Sequence, residues 1–406
     1  MSLRLFLLLA VGLIGGPGCS FATSPNNSAF PVTPNGPISH TETFYENASG
    51  SPLVPLFNSA KSSIDIEIYE MDDTLVLSAI KNAIDRGVRL RILKEPNPVG
   101  GSCKVFRPKS SSDSQTCIAE KNLLDYVTNH GSSYLPFNKD LCALPGAKCF
   151  QHGKMVIIDQ EKVMLSTGNF NTSSLCAHSE HPTTCNRDYS VVSSDPKVVQ
   201  LLKVTFEKDL TGVPYDLSNL LIKYAVQKIT ISPYSLAPLL KFIGSAKRVI
   251  RIQNQYLKDP DLNNAILAAA ARGVEVQVMI SSACSFNVPS VGDEKTWTRI
   301  FTAFDQAGIK SRIFTRSMKI NQVAAYLHAK AIVVDDARAW VGSVNGSTTS
   351  LTNNREYGIF IDDLVEVQKL NSFMETDFVN ANSESWQESL VCKKDPQAVL
   401  PPSDGG

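Results

Sequence analysis

The order of apolar and polar positions repeats once along the chain. Residues 60–93 and 246–280 each begin with a strand-like alternation, continue with apolar residues three or four positions apart, and end in a second β-rich run. These periods are typical of a strand, an amphipathic helix and another strand. In both copies Arg-Gly-Val follows the helix, where Gly87 and Gly273 can take the left-handed conformation that ends a helix. The pattern predicts two halves built on one plan.

The spacing within the repeat supports an internal duplication. Ala60 and Arg86 are 26 positions apart (86 − 60), and Ala246 and Arg272 are also 26 apart (272 − 246). Helices that alternate with β-rich runs indicate an α/β fold in each half, with helices covering a largely buried sheet. We expect the following segments: signal peptide 1–22, leader 23–42, N-terminal half 43–215, C-terminal half 225–385 and tail 386–406.

One short motif also occurs twice, at corresponding points of the two halves. Residues 151–159 read QHGKMVIID and residues 327–335 read LHAKAIVVD. On a strand, residues two apart share a face, so the histidine and lysine of each copy should point the same way. The aspartates fall at the strand–turn junction, where a side chain can bond local backbone donors. The motif residues are His152, Lys154 and Asp159 in the first copy, and His328, Lys330 and Asp335 in the second.

Each motif is followed by carboxamide and carboxylate residues. The first copy continues to GNFN (168–171) and NRDY (186–189), and the second to GSVN (342–345) and NREY (354–357). This set suits a phosphodiester reaction, in which one imidazole attacks phosphorus and the other transfers protons. Lysines and asparagines would hold the non-bridging oxygens, and a carboxylate would orient each imidazole. The phosphate-binding candidates are Lys154, Asn171, Lys330 and Asn345, and the histidine-orienting candidates are Asp188 and Glu356.

With these motifs the chain resembles the phospholipase D superfamily and its secreted bacterial members, whose signature is His-x-Lys-x4-Asp-x6-Gly-Ser-x-Asn in two copies. The second copy matches in full, from His328 to Asn345. The first departs after Asp159, since eight residues precede Gly168 and Asn169 stands where serine is usual. The likeness extends from about residue 43 to 385, and the paired signature is specific for the superfamily but not for the substrate.

The resemblance implies a fold and a set of roles. We expect two fused α/β/α repeats with pseudo-twofold symmetry and the active site at their interface. The catalytic candidates are His152, Lys154, Asp159, His328, Lys330 and Asp335. His152 would be the nucleophile that forms a phosphohistidine, and His328 the general acid and base. Asp188 and Glu356 resemble the carboxylates that bond to histidine in the family, each serving either its own half or the opposite one.

The N-terminus and the cysteines indicate export to the periplasm or medium. A charged MSLR leads into LFLLLAVGLI, which has the length of a secretory apolar region, and Ser20-Phe21-Ala22 fits cleavage. Lipid attachment at Cys19 is the alternative. Eight further cysteines suggest disulfides, with zinc as the weaker alternative because no Cys-x-x-Cys pair occurs. Close spacing suggests the pairs Cys103–Cys117, Cys142–Cys149 and Cys176–Cys185, which leaves Cys284–Cys392 as a long-range candidate.

Charge and composition leave three functional hypotheses. Lys+Arg and Asp+Glu both number 39, so the chain lacks the excess of basic residues that is typical of a polyanion-binding protein. The first hypothesis is an exported phosphodiesterase that hydrolyses or transfers the head group of phospholipids at a membrane surface. The alternatives are an exported nuclease acting on DNA or RNA, and a non-catalytic envelope protein. We expect no metal or other cofactor because lysines supply the positive charge, and we expect a monomer without an obligate protein partner.

Overall fold

The protein is described from a computed structural model, which describes residues 41–99, 103–143, 149–178, 182–285 and 289–395. The expected signal peptide, Cys19 and nearly all of the leader lie outside these ranges. Within them, no helix is long and apolar enough to cross a lipid bilayer.

Two seven-stranded sheets and a small third sheet contain the strands. In chain order the strands are β1 Glu42–Glu46, β2 Ser63–Ile68, β3 Arg89–Lys94, β4 Ser133–Pro136, β5 Met155–Ile158, β6 Lys162–Ser166, β7 Thr184–Arg187, β8 Tyr189–Ser193, β9 Ile229–Ile231, β10 Val249–Asn254, β11 Glu275–Ser281, β12 Lys310–Phe314, β13 Lys319–Ile320, β14 Val323–Leu327, β15 Lys330–Val334, β16 Arg338–Gly342 and β17 Tyr357–Ile361.

Helices connect the strands in both halves. In chain order they are α1 Asn47–Gly50, α2 Leu53–Ser59, α3 Thr74–Asp85, α4 Gln115–Asn129, α5 Pro196–Thr211, α6 Leu217–Tyr224, α7 Leu236–Gly244, α8 Pro260–Ala271, α9 Val291–Gln306, α10 Thr348–Thr352, α11 Leu364–Phe378 and α12 Trp386–Leu390, with short 3₁₀ turns at Lys139–Leu141 and Cys176–His178. Asp73 and Asp259 cap the matched helices α3 and α8 by accepting backbone N–H bonds. After these helices, Gly87 and Gly273 have φ angles of 87° and 86°, as the sequence predicts.

The strand order confirms the duplicated α/β fold. The first sheet runs β1-β8-β6-β5-β2-β3-β4, and the second, read from its far edge, runs β9-β17-β16-β15-β10-β11-β12. Position by position the two orders correspond. In each sheet the strand that follows the motif histidine pairs antiparallel with the first strand of the repeat, β5 with β2 and β15 with β10. Both motifs therefore begin at the edge where β2 and β10 end.

The core is layered because neighbouring strand residues face opposite sides. Met155 and Ile157 of β5 pack in a central cluster that also contains Ala331 and Val333 of β15. Helices α5 and α11 contribute to this central cluster, whereas the outer helices cover the other sheet faces. The alternate residues lie in the two outer clusters: Val156 and Ile158 in one, and Ile332 and Val334 in the other.

The third sheet joins the halves directly. Its order is β13-β14-β7, and β14 of the second half runs parallel to β7 of the first half. In this pairing Leu327, which precedes His328, faces Arg187, which precedes Asp188. The matching connection of the other copy is a single parallel bridge between Gln151 and Arg355. The lead-in to each motif is thus bonded to the opposite half.

All four disulfides pair as the sequence suggests, namely Cys103–Cys117, Cys142–Cys149, Cys176–Cys185 and Cys284–Cys392. The segment expected as a C-terminal tail, 386–406, packs against the second half over residues 386–395. Helix α12 packs beside α9, Cys392 is bonded to Cys284, and Asp395 is buried. Residues 396–406 lie outside the described ranges.

Candidate active site

The two motif histidines lie in extended segments just before their strands, and backbone bonds anchor both to the opposite half. The backbone N–H groups of His152 and Gly153 both donate to the carbonyl of Arg355, at 2.9 Å each. The N–H of His328 donates to the carbonyl of Arg187 at 3.2 Å. Because Arg355 precedes Glu356 and Arg187 precedes Asp188, each histidine is brought next to the acid of the other half.

The histidine–carboxylate pairs are crossed between the halves. Nδ1 of His152 lies 3.0 Å from the carboxylate of Glu356, and Nδ1 of His328 lies 2.9 Å from that of Asp188. Both histidines are only 1% exposed. A carboxylate can only accept a hydrogen bond, so each Nδ1 carries the proton and each Nε2 remains the basic nitrogen. The sequence left open which half each acid serves, and the geometry assigns both to the opposite one.

The two acids are held as carboxylates although they are buried. Burial alone would raise the pKa of Asp188, but the nearby His328 and Lys330 and the bond from His328 hold that pKa below its usual value. Burial likewise opposes ionisation of Glu356, yet His152 and Lys154 keep its pKa below the ordinary value. The remaining carboxylate contacts come from hydroxyl and amide groups: Thr167 donates to Asp188, and Ser350 and Asn354 donate to Glu356.

The two motif lysines lie in the same buried region. Nζ of Lys154 donates to the carbonyl of His152 at 2.6 Å and lies 5.3 Å from the centre of the Tyr69 ring. Nζ of Lys330 donates to the carbonyl of Thr167 in the other half at 3.3 Å. Both side chains are fully buried. A buried ammonium beside each imidazole can offset the charge of a phosphate, because water screens it little.

Asn345 has the properties of a ligand-binding carboxamide. Its side chain is fully buried, and its oxygen and nitrogen have no hydrogen-bond partner among the residues that the structure describes. Its backbone N–H donates to Ser350 at 2.8 Å, which fixes the residue in place. Buried polar atoms without partners are costly, so a site that retains them is a candidate for binding a polar ligand.

The strand register corrects the sequence alignment of the first copy. Met155 pairs with Leu165 on β6, and Ala331 pairs with Val341 on β16. Because Met155 and Ala331 each follow the motif lysine, Ser166-Thr167-Gly168-Asn169 is the counterpart of Gly342-Ser343-Val344-Asn345. This restores the spacing of six residues after Asp159. In this register the counterpart of Asn345 is Asn169, which lies two positions before the predicted Asn171.

Asn169 and Asn171 meet at one carboxylate. The side-chain nitrogens of both residues donate to Glu70, at 3.0 and 3.1 Å. The carbonyl oxygen of the Asn171 side chain accepts from Ser173 and from the backbone of Ser174, so this residue also organises its own loop. Asn169 is 2% exposed, like the other central residues of the site.

The motif aspartates lie away from the histidine pairs. Asp159 accepts bonds from the backbone N–H groups of Lys61, Ser62 and Ser63, where β2 begins. Asp335 accepts the matching bonds from Lys247, Arg248 and Val249 at the start of β10. The histidines lie at the other end of β2 and β10, so Asp159 and Asp335, predicted among the catalytic residues, lie apart from both histidine pairs. They connect strands, as their position at the strand–turn junction suggests.

Several site residues were not identified from the sequence. The ring of Tyr69 packs edge-on against His152 with the ring centres 4.9 Å apart. Glu70, Thr167 and Ser350 bond to Asn169, Asp188 and Glu356 respectively. Thr167 could have been found by placing a spacer of six residues after Asp159, because Thr167 then takes the place of the signature serine. Tyr69, Glu70 and Ser350 lie outside the signature, and only the fold brings them next to the signature residues.

Comparison with known proteins identifies the family of the chain. The model of the family "Cardiolipin synthase, PLD-like domain" matches residues 53–210 and 239–378, which together make up most of the chain. The chain therefore belongs to this family of the phospholipase D superfamily.

Individual relatives match over shorter segments. The major cardiolipin synthase ClsA of Bacillus subtilis (strain 168) is 31% identical over 156 residues, which cover 37% of this chain and 29% of that protein. Cardiolipin synthase A of Buchnera aphidicola subsp. Acyrthosiphon pisum (strain APS) is 36% identical over 130 residues, or 31% of this chain and 24% of that protein. These matches span less than a third of either relative.

A solved structure resembles the whole architecture. The phosphatidylserine synthase of Haemophilus influenzae Rd KW20 superposes with a TM-score of 0.59 at 12% identity, covering 85% of this chain and 87% of that one. At this identity the likeness concerns the fold, which is again the duplicated α/β arrangement.

Proposed function

We propose that the protein is a phosphodiesterase that acts on phospholipids through a phosphohistidine, passing the phosphatidyl group to water or to another alcohol. The crossed pairs His152–Glu356 and His328–Asp188 carry this proposal, because they place two oriented imidazoles in one buried site. Each imidazole has a lysine within its motif and a carboxylate that stabilises its cation.

In the first step, Nε2 of His152 attacks phosphorus, and the bond from phosphorus to the leaving alcohol breaks. The leaving oxygen takes a proton from Nε2 of His328, whose ring enters this step as the imidazolium that Asp188 stabilises. In the second step, His328 removes a proton from water or an acceptor alcohol, whose oxygen attacks phosphorus and releases His152. The choice of His152 as nucleophile follows the resemblance to superfamily members in which the N-terminal histidine attacks.

Charge in the transition state would be offset by groups of this chain. Lys154 and Lys330 supply the positive charge, and Asn345 and Asn169 supply N–H donors for the non-bridging oxygens. No step of this mechanism needs a metal ion. Activity should therefore persist in a chelator.

Phospholipid is the substrate class that the observations favour. The two relatives described above, which match in segments, are named cardiolipin synthases. The chain has no net charge, which gives no general attraction for nucleic acid. The histidines are nearly fully buried, so a thin, flexible head group fits access to them better than a stiff duplex does.

The test uses the oxidatively folded protein lacking residues 1–22, with vesicles of phosphatidylcholine or phosphatidylglycerol and with single- and double-stranded DNA. Each substrate is offered with and without EDTA, and glycerol or ethanol is added as an acceptor. We expect head-group release from vesicles that persists in EDTA and disappears in His152→Ala. The alcohol should divert part of the product from phosphatidic acid to a phosphatidyl alcohol. Cleavage of DNA without any lipid turnover would contradict the proposal.

A further inference from the structure

The residues on either side of each crossed acid connect the two halves. Asp188 stands between Arg187 and Tyr189, and Glu356 stands between Arg355 and Tyr357. All four neighbours are buried and contact the half opposite to their own. The position of each acid therefore depends on these contacts as well as on its own bonds.

In the copy around Asp188, the neighbours of the acid form a chain of hydrogen bonds in which each donor has an acceptor. Arg187 binds Asp377 on α11 through two N–H groups at 2.8 Å each. The hydroxyl of Tyr189 donates to Oε1 of Gln253 at 2.7 Å. The amide nitrogen of Gln253 then donates to Asp377 at 3.0 Å. Gln253 is thus an acceptor for the tyrosine and a donor to the aspartate.

The copy around Glu356 has a similar plan with two chemical differences. The first is that Arg355 donates to the carbonyl of Ser232, whereas Arg187 binds the carboxylate of Glu46 in addition to Asp377. Arg355 binds Asp209 on α5, at 2.8 Å from Nε and 3.1 Å from Nη2. The hydroxyl of Tyr357 donates to Oε2 of Glu67 at 2.7 Å. Glu67 is the counterpart of Gln253, because Glu67 pairs with Met155 and Gln253 with Ala331, the residues after the two motif lysines. The second difference is that a carboxyl group replaces the amide that bridges tyrosine and aspartate in the other half.

The environment of Glu67 favours the protonated acid. The groups that face it are Asp209 on α5, Arg355 and Tyr357 from the second half, and Gln151 before β5. Complete burial, together with the charge of Asp209, raises the pKa of Glu67 to about 8. Because Arg355 binds Asp209 directly, Glu67 rather than Asp209 is the acid of this pair that holds the proton.

The side-chain atoms of Glu67 and Gln253 also correspond in their contacts. In Gln253 the oxygen accepts from the tyrosine and the nitrogen donates to the aspartate. In Glu67, Oε2 accepts from the tyrosine, while Oε1 is buried with no hydrogen-bond partner among the described residues. A proton on Oε1 would make Glu67 a donor, as Gln253 is.

A direct path leads from this network to the catalytic histidine. The carbonyl of Arg355 accepts the backbone bonds of His152 and Gly153. The ring of Tyr357 lies so close to Gly153 that a Cβ on this glycine would be 2.4 Å from a ring carbon. A shift of Arg355 or Tyr357 would therefore move His152 relative to Glu356.

We propose that Glu67 is a positioning residue that acts as a neutral acid, its proton directed at Asp209 as the Gln253 amide is directed at Asp377. When Glu67 loses this proton, two neighbouring carboxylates share one arginine, and the repulsion loosens the hold on Arg355 and Tyr357. The His152–Glu356 pair is then displaced, while the His328–Asp188 pair keeps its neutral amide. The catalytic part of this inference rests on the proposed function, but the protonation of Glu67 does not.

The test compares the wild-type protein, Glu67→Gln and Gln253→Glu between pH 5.5 and 9.5, using bis(p-nitrophenyl) phosphate and thermal unfolding. A group with a pKa of about 8 passes from about one tenth to nine tenths ionised between pH 7 and 9, so wild-type kcat should fall roughly tenfold on that account. In Glu67→Gln this alkaline fall should disappear. Gln253→Glu should add a fall of its own, because it places the same acid in the other network.

Thermal unfolding measures the same proton without any substrate. An acid whose pKa is raised by folding stabilises the protein fully below its unfolded value and loses that contribution as the pH rises to its folded value. The Tm of wild type should therefore drop relative to that of Glu67→Gln between about pH 4.5 and pH 8. Above about pH 8 the two curves of Tm against pH should run parallel.

The outcomes separate the two proposals. Parallel Tm curves of wild type and Glu67→Gln across this range would overturn the inference about Glu67. A shift in Tm with an unchanged pH profile of kcat would overturn its positioning role. If the wild-type protein cleaves no diester at any pH, the proposed function fails, and the Tm comparison still decides whether Glu67 holds a proton.

Discussion

Asp188 and His328 are 140 positions apart in the sequence and bonded at 2.9 Å in the fold, each belonging to a different half. Glu356 and His152 form the mirror of this pair at 3.0 Å. Neither half therefore contains a complete histidine–carboxylate pair. The two imidazoles of the candidate site are oriented by contacts that exist only when the halves are packed together.

The crossed pairs predict which step each acid affects. In Glu356→Gln the proposed nucleophile His152 loses its anionic partner, and in Asp188→Asn the proposed acid–base residue His328 does. Each change should lower kcat by about 10²- to 10⁴-fold, the range expected when a carboxylate no longer fixes an imidazole. With p-nitrophenol as the leaving group, the first step needs little acid catalysis. Asp188→Asn should then show a burst of nitrophenol in stopped-flow measurements, and Glu356→Gln should not.

A burst in Glu356→Gln and its absence in Asp188→Asn would mean that the two histidines have exchanged roles. Thr74→Ala, on the exposed start of α3, is a suitable control because it lies outside the site. Its kcat should stay within about twofold of the wild-type value, as for most surface substitutions.

The corrected register makes a prediction about two asparagines. Asn169→Ala removes the counterpart of Asn345 and should lower kcat/KM by roughly 10²-fold, as for the loss of one donor to a charged transition state. Asn171→Ala keeps that group and should lower kcat/KM by less than about tenfold, mainly through disorder of the loop that Asn171 holds through Ser173 and Ser174. Steady-state kinetics on a soluble diester compares them. A larger loss in Asn171→Ala would show that the shifted alignment is wrong.

Asp159 should act on stability rather than on chemistry. Its burial raises the pKa, but the backbone bonds from Ser63, Lys61 and Ser62 outweigh this and lower the pKa to about 2. A carboxyl group whose pKa is lowered by folding stabilises the protein at pH values above its unfolded pKa, near 3.8. This contribution is lost as the pH falls through the folded pKa.

Asp159→Asn should therefore lower the free energy of unfolding at pH 7 by about 1 to 2 kcal/mol, with kcat nearly unchanged. Urea unfolding at pH 7 and at pH 3 measures the difference, which should shrink at the lower pH. Asp335→Asn is the matched variant in the second half. A loss of kcat of more than about 10²-fold in either variant, without loss of stability, would restore these aspartates to the catalytic group.

The sequence alone was sufficient for the architecture, because the repeated periods around Gly87 and Gly273 are local signals that the folded strands and helices follow. The sequence placed each histidine on its strand, whereas both histidines lie in the extended segment just before it. The crossing of the acids could not be derived from these signals. It depends on the parallel pairing of β14 with β7, which joins distant segments with little sequence pattern of their own.

Two other features show different limits of the sequence. The role of Asn169 was within reach, since counting from Asp159 gives it the place of Asn345, but aligning the glycines led to Asn171. Glu67 and Gln253 stand at matched positions of the repeat, but the sequence does not show that the acid differs from the amide in its protonation. This follows only from the fold, which buries Glu67 next to Asp209.

The central claim is that one site, shared by both halves, works through a phosphohistidine on His152. The most direct measurement is mass spectrometry of His328→Ala after brief reaction with bis(p-nitrophenyl) phosphate and rapid quenching at alkaline pH, where phosphohistidine survives. We expect a p-nitrophenyl phosphoryl adduct on His152, because the good leaving group needs no acid and the missing base leaves the adduct intact. An adduct on His328 in His152→Ala, with none in His328→Ala, would contradict the assignment.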